Sequence, residues 1–147
     1  MRPARPLRRS PSALPLLLAA ALCGCGNVGD VESLVAGNAI PRRWGAEGFT
    51  DASALFKACQ AGDARALEKL DDMCHIMGRL LFNLIALGDL SRISLGGSVF
   101  WHHRVLLLPL LQAQVDGRLA ALTAGALLVP AGLGEQVGDY AALALTV

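Results

Sequence analysis

Two thiols one residue apart, followed by glycines and a carboxylate, are the residues here best suited to chemistry. The run Cys23-Gly24-Cys25-Gly26-Asn27-Val28-Gly29-Asp30 has the form of a zinc knuckle. Paired thiolates are strong zinc ligands, and glycines let the backbone fold tightly around the ion. Asp30 adds an oxygen ligand, but a closed structural site needs a fourth group, and no histidine precedes His75. The same residues also read as a tight turn with two unmetallated thiols. Glu32 follows directly, either as an acceptor for sugar hydroxyls or as a first-turn acid that complements the helix dipole. Two glycine turns could admit a nucleotide to the backbone, at Leu95-Gly96-Gly97-Ser98 and at Leu133-Gly134-Glu135-Gln136-Val137-Gly138. Each is equally consistent with a simple strand-to-helix turn. His102 and His103 have no carboxylate at a readable spacing and read as surface loop residues. Asp71 and Asp72 read as a solvated helix face. No Gly-x-Ser-x-Gly motif, Walker loop or complete dinucleotide fingerprint occurs.

The elements that must carry these residues follow from hydrophobic spacing and caps. A helix is expected over Val31–Ala46 with Asp30 as its N-cap, weakened by Gly37 and Pro41. Thr50 or Asp51 caps a short helix, Ala52–Ala61, which Gly62 stops. Asp63 caps a long helix to about Leu87. Its stripe Leu67, Leu70, Cys74, Met77, Leu81 and Leu84 is broadened by Ala66, Met73, Ile76 and Leu80, which predicts burial on more than one side. Short strands are expected at Arg92–Leu95 and Ala126–Val129. Helices follow at Val105–Gln114, kinked or divided by Pro109, and at Gly138–Leu145. Strand, glycine turn, helix, repeated twice, predicts an α/β architecture with a parallel sheet.

Composition narrows the function classes. The chain has 147 residues, 54% hydrophobic and 17% charged, with net charge +1. That is room for one cored domain, and the apolar excess points to buried helices or to a surface that meets another domain. Four of the thirteen basic residues, Arg2, Arg5, Arg8 and Arg9, precede every acid. The remainder is mildly acidic and carries no basic patch with interleaved aromatics, which disfavours nucleic acid as a partner. Cys59 and Cys74 lie within helical patterns and read as small core residues in a reduced, cytoplasmic protein.

Residues 1–22 differ from the rest. A basic, proline-rich start precedes the apolar run Ala13–Leu22, too short to span a bilayer. It has the form of a signal peptide, and Leu22-Cys23-Gly24-Cys25 that of a lipoprotein cleavage box. The competing reading is a wrong start or a shifted frame, giving a leader foreign to residues 23–147.

Taken in order, the motifs resemble the ROK family of sugar kinases and repressors. Residues 23–40, from Cys23-Gly-Cys25-Gly through Gly29-Asp30-Val-Glu32 to Gly37-Asn-Ala-Ile40, resemble its cysteine signature, Cys-x-Cys-Gly-x-x-Gly-Cys-(Leu/Val)-Glu. Ala61-Gly62-Asp63, Ile93-Ser-Leu-Gly96-Gly97-Ser98 and Val129-Pro130 through Gly138 are similar to later family segments. The resemblance implies an actin-like ATPase fold (ribonuclease H-like), here its carboxyl-terminal domain with long helices on a small sheet. It implies phosphorylation of a hexose or N-acylhexosamine, N-acetylmannosamine or glucose, by ATP with Mg, in a homodimer. Cys23 and Cys25 would hold structural zinc, weakened because Asp30 stands where the family has a third cysteine. Glu32 would bind sugar, and Gly96 and Gly97 would line the adenosine side. The phosphate loop, the catalytic aspartate and a zinc-binding histidine belong to an amino-terminal half unmatched here. No catalytic residue is therefore expected in this chain, and no kinase activity from it alone. The alternative is the sugar-sensing domain of a ROK repressor.

Overall fold

The computed structural model describes residues 21–145, the side chain of Val137 excepted. The leader expectation therefore falls almost wholly outside the described residues. Residues 21–29 form a hairpin, with Leu22 bridged antiparallel to Val28. Its amides are satisfied by Cys23 N–H to the Asn27 carbonyl and Gly29 N–H to the Ala21 carbonyl, each at 2.8 Å.

Next come two short helices, α1 (Glu32–Val35) and α2 (Ala39–Trp44), then a 3-10 turn over Gly45–Glu47. This corrects the single helix expected over Val31–Ala46. Ala36 is extended at ψ 158°, so the chain leaves the helix there and re-enters at Ala39. Asp30 is not a side-chain N-cap either. Val31 occupies that position, and Asp30 contributes its carbonyl, which accepts from the Ser33 hydroxyl at 2.6 Å.

Helix α3 (Ala52–Gln60) and helix α4 (Ala64–Gly88) are as expected. The Asp51 carboxylate accepts the Ala54 N–H at 2.8 Å, and the Asp63 carboxylate accepts those of Arg65 and Ala66. Those backbone N–H groups, Ala66 first, hold the Asp63 carboxyl below its ordinary range. At 25 residues, α4 is about 37 Å long and crosses the whole domain. Its buried face runs through Ala66, Leu70, Met73, Cys74, Ile76, Leu81 and Ile85. Two stripe members, Leu67 and Leu84, are exposed, because that face is turned slightly from the predicted one.

Strand β1 (Arg92–Leu95) leads to α5 (Ser98–Asp116), a one-turn α6 (Ala120–Thr123), β2 (Leu127–Pro130), a 3-10 turn at Gly134–Gln136 and α7 (Val137–Ala144). The strands pair in parallel, Arg92 beside Leu127 and Leu95 beside Pro130. Helix α5 starts seven residues earlier than expected and takes in both histidines. Its irregularity lies at His103 (φ −113°, ψ 16°), while Pro109 sits inside the helix. Beside His103, Arg104 donates to the Trp101 carbonyl at 2.6 Å.

Helices α4 and α5 pack closely because Gly78 has no side chain. A Cβ there would stand 2.5 Å from Cβ of Gln114. Gln112 covers the outer edge of β2, accepting the Leu128 N–H at 2.8 Å and donating to the Ala126 carbonyl at 2.9 Å. An amide side chain thus fills ladder positions that another strand would otherwise take. The core gathers α2 to α5 around Ile40, Phe56, Leu81, Ile85 and Val115.

Candidate functional site

The hairpin brings the predicted metal ligands together. Donor atoms of Cys23, Cys25 and Asp30 all lie within 4.8 Å of one another, and the Cys25 thiol donates to Asp30 Oδ2 at 3.4 Å. Cys23 is buried and Cys25 exposed. The Cys25 backbone N–H favours the Cys23 thiolate. The Cys25 side chain, burial and the carboxylates of Glu32 and Asp30 together outweigh it, and the thiol is pushed up to about 11. Two thiols and a carboxylate at this spacing fit three corners of a zinc tetrahedron. Among the described residues no fourth donor joins them, and a metal would have to displace thiol protons to bind.

Glu32 opens α1 and is exposed beside this cluster. The other end of α1 reaches a second feature, an apolar cavity of 310 Å³. It is lined by Val35 and Gly37, by Met73, Cys74 and Met77 of α4, and by Leu95-Gly96-Gly97-Ser98. Gly97 holds φ +91° as the residue before α5, a conformation that strains any side chain. It leaves the rim as bare backbone at the start of a 19-residue helix. The fold therefore places the Gly96-Gly97 turn and the helix of Glu32 on one cavity, although they lie over sixty residues apart in sequence. Cys74 in this lining is pushed up to about 12 by burial, then by Asp71 and Cys59, which leaves it neutral.

The second glycine turn does not join this cavity. Its Glu135 instead meets His102 at 2.9 Å across exposed surface, so His102 has a carboxylate partner that its sequence neighbourhood did not reveal. His103 is not a surface loop residue. It is half-buried, with its ring stacked on Phe56 at 3.8 Å between centroids and 10° between planes. Asp72, expected on a solvated face, is half-buried and pairs with Arg43. In each case the partner comes from a distant element, which no local spacing could show.

Burial, and then the charge of His102, lower the His103 pKa below 6.5. The unfolded chain then binds the proton more readily, so this contribution to stability is present above the unfolded pKa. It fades as pH falls from about 6.5 to the folded value. Thermal midpoints at pH 7.5 and 5.5 should therefore differ more in the native chain than in His103→Phe, which keeps a stacked ring and cannot titrate. Equal differences would remove His103 from the acid limb.

The chain is similar to known proteins in sequence and in fold. Residues 14–147 match the ROK family. Over 79 residues the chain is 33% identical to an N-acetylmannosamine kinase of Escherichia fergusonii, covering 53% of this chain and 27% of that protein. Over 141 residues it is 27% identical to a glucokinase of Aeropyrum pernix, covering 84% and 44%. The fold resembles that of a ROK hexokinase from Thermus thermophilus, with a TM-score of 0.62 at 29% identity, over 81% of this chain and 40% of the other. The chain thus spans less than half the length of each of these relatives. The family match includes the cysteine hairpin, Glu32 and the Gly96-Gly97 turn in a single stretch, and the chain belongs to the ROK family.

Proposed function

We propose that this chain is the carboxyl-terminal portion of an ATP-dependent ROK sugar kinase acting on a hexose or N-acylhexosamine. The observation that carries this reading is the shared cavity, lined by both the glycine turn and the end of the Glu32 helix. Glu32 accepts hydrogen bonds from sugar hydroxyls, being an exposed carboxylate at a fixed helix start. The backbone of Gly96 and Gly97 lies against the adenosine side of ATP, where the flat face of the base suits the apolar lining. Cys23, Cys25 and Asp30 hold zinc, whose chemistry here is structural, fixing the loop that precedes Glu32. ATP with Mg is the phosphoryl donor, and N-acetylmannosamine and glucose are the sugars that relatives suggest. A cytoplasmic location goes with ATP as co-substrate. Exposed leucines such as Leu119, Leu122 and Leu127 suit a homodimer. The named relatives are kinases, which favours this reading over a repressor's sugar-sensing domain.

Amide NMR tests the assignment directly. Mg·ATP should shift the resonances of Gly96 and Gly97, and N-acetylmannosamine or glucose those around Glu32. Glu32→Ala should weaken sugar binding at least about tenfold, the order of one charged hydrogen bond, and leave the nucleotide response intact. Sugar binding unchanged in Glu32→Ala would sink the site assignment.

A further inference from the structure

The last turn of α2 carries adjacent arginines whose guanidiniums leave in different directions. Arg42 is exposed and reaches the hairpin. Its Nη1 donates to the Leu22 carbonyl at 3.0 Å and its Nη2 to Asn38 Oδ1 at 3.4 Å. Arg43 is half-buried and reaches inward. Its Nη1 donates to the Leu34 carbonyl at 2.7 Å, its Nη2 to Asp72 on α4 at 2.5 Å, and its guanidinium lies 4.2 Å over the Trp44 ring. One short helix therefore grips the hairpin strand, the helix of Glu32 and the long helix together.

We propose that Arg42 is the positioning residue of the cysteine–carboxylate site, with Arg43 as the anchor that references it to α4. The zinc part of this rests on the reading above; the clamp itself does not. A two-stranded hairpin on its own is marginal in water, and a metal site needs its ligands held in place before the ion arrives. Leu22 directly precedes Cys23, so fixing the Leu22 carbonyl fixes the backbone from which the buried thiol projects. The planar fork of arginine satisfies two acceptors in one geometry, which a lysine ammonium does not reproduce. Asn38 holds the second arm of that fork and keeps it aimed at the hairpin. Nothing in the spacing of Arg42 and Cys23, nineteen residues apart, indicates the link.

Two measurements on the full chain test it. The first is hydrogen exchange at the Cys23 and Gly29 amides, whose bonds close the hairpin. Arg42→Ala should speed exchange there at least tenfold without metal, and leave the amides of α4 unchanged. The second is titration with Co(II), read by the thiolate-to-cobalt charge-transfer band. Outer-shell losses weaken metal sites about 10–100-fold, and Arg42→Ala should fall in that range, with only partial recovery in Arg42→Lys. Native exchange at Cys23 and Gly29 in Arg42→Ala would overturn the clamp. Faster exchange with unchanged cobalt affinity would overturn its role at the metal site. A native chain with no cobalt band would sink the zinc reading alone, and exchange would still decide the clamp.

Discussion

Replacing Phe56 by alanine should cost about 3–5 kcal/mol of unfolding free energy, the range for truncating a buried aromatic. Phe56 is 1% exposed and sits on α3 where that helix meets the core, so its removal leaves a void that few side chains can fill. It also takes away the ring on which His103 stacks, and aromatic pairs contribute about 0.5–1.5 kcal/mol beyond the area they bury. Against a total stability of about 5–15 kcal/mol, this single change approaches unfolding. Urea denaturation monitored by far-UV circular dichroism measures it, and Phe56→Leu should lose less because it leaves a smaller cavity. The two effects are linked. With the aromatic ring gone, water reaches the imidazole, the desolvation that lowers the His103 pKa weakens, and the acid limb of stability should flatten. A loss below about 1 kcal/mol, typical of surface positions, would place Phe56 outside the core.

Cys23→Ser and Cys25→Ser should each weaken zinc binding more than about a hundredfold, since losing a ligand exceeds the 10–100-fold cost of losing an outer-shell partner. Cys59→Ser and Cys74→Ser should leave it unchanged. Those two thiols are buried in the helical core, and burial is the leading cause that raises both pKa values. Neither belongs to the donor group of Cys23, Cys25 and Asp30. Competition against a chromophoric chelator measures the affinity. The native chain should also bind more tightly as pH rises, by about tenfold per unit for each thiol proton displaced. Asp30→Cys would restore a third soft donor and should tighten binding. Equal zinc affinity in the native chain and the Cys23→Ser variant would show that the hairpin holds no metal.

Local rules worked where a local cause decided the outcome. Asp51 and Asp63 cap their helices because a carboxylate in that position meets free N–H groups whatever the rest of the chain does. The period of the long helix and the two apolar strand runs likewise read through to α4, β1 and β2. Three expectations failed. The Val31–Ala46 helix broke at Ala36, α5 began early, and Asp72 turned inward to Arg43. The last has its partner on a distant helix, whereas the break at Ala36 lies beside Gly37, whose helix propensity is low.

The sequence alone determined the family, through the order of its cysteine turn, long helix and glycine turns, and with it the α/β class. Order along the chain is a one-dimensional property, and no packing is needed to read it. Tertiary structure decided what those motifs share. It set the Gly96-Gly97 turn and the end of the Glu32 helix on one cavity, paired His102 with Glu135 and His103 with Phe56, and joined the cysteine hairpin to α4 through Arg42 and Arg43. Those contacts close across long stretches of chain. Their partners are chosen by shape and burial once the helices pack, and residue spacing carries no record of that choice.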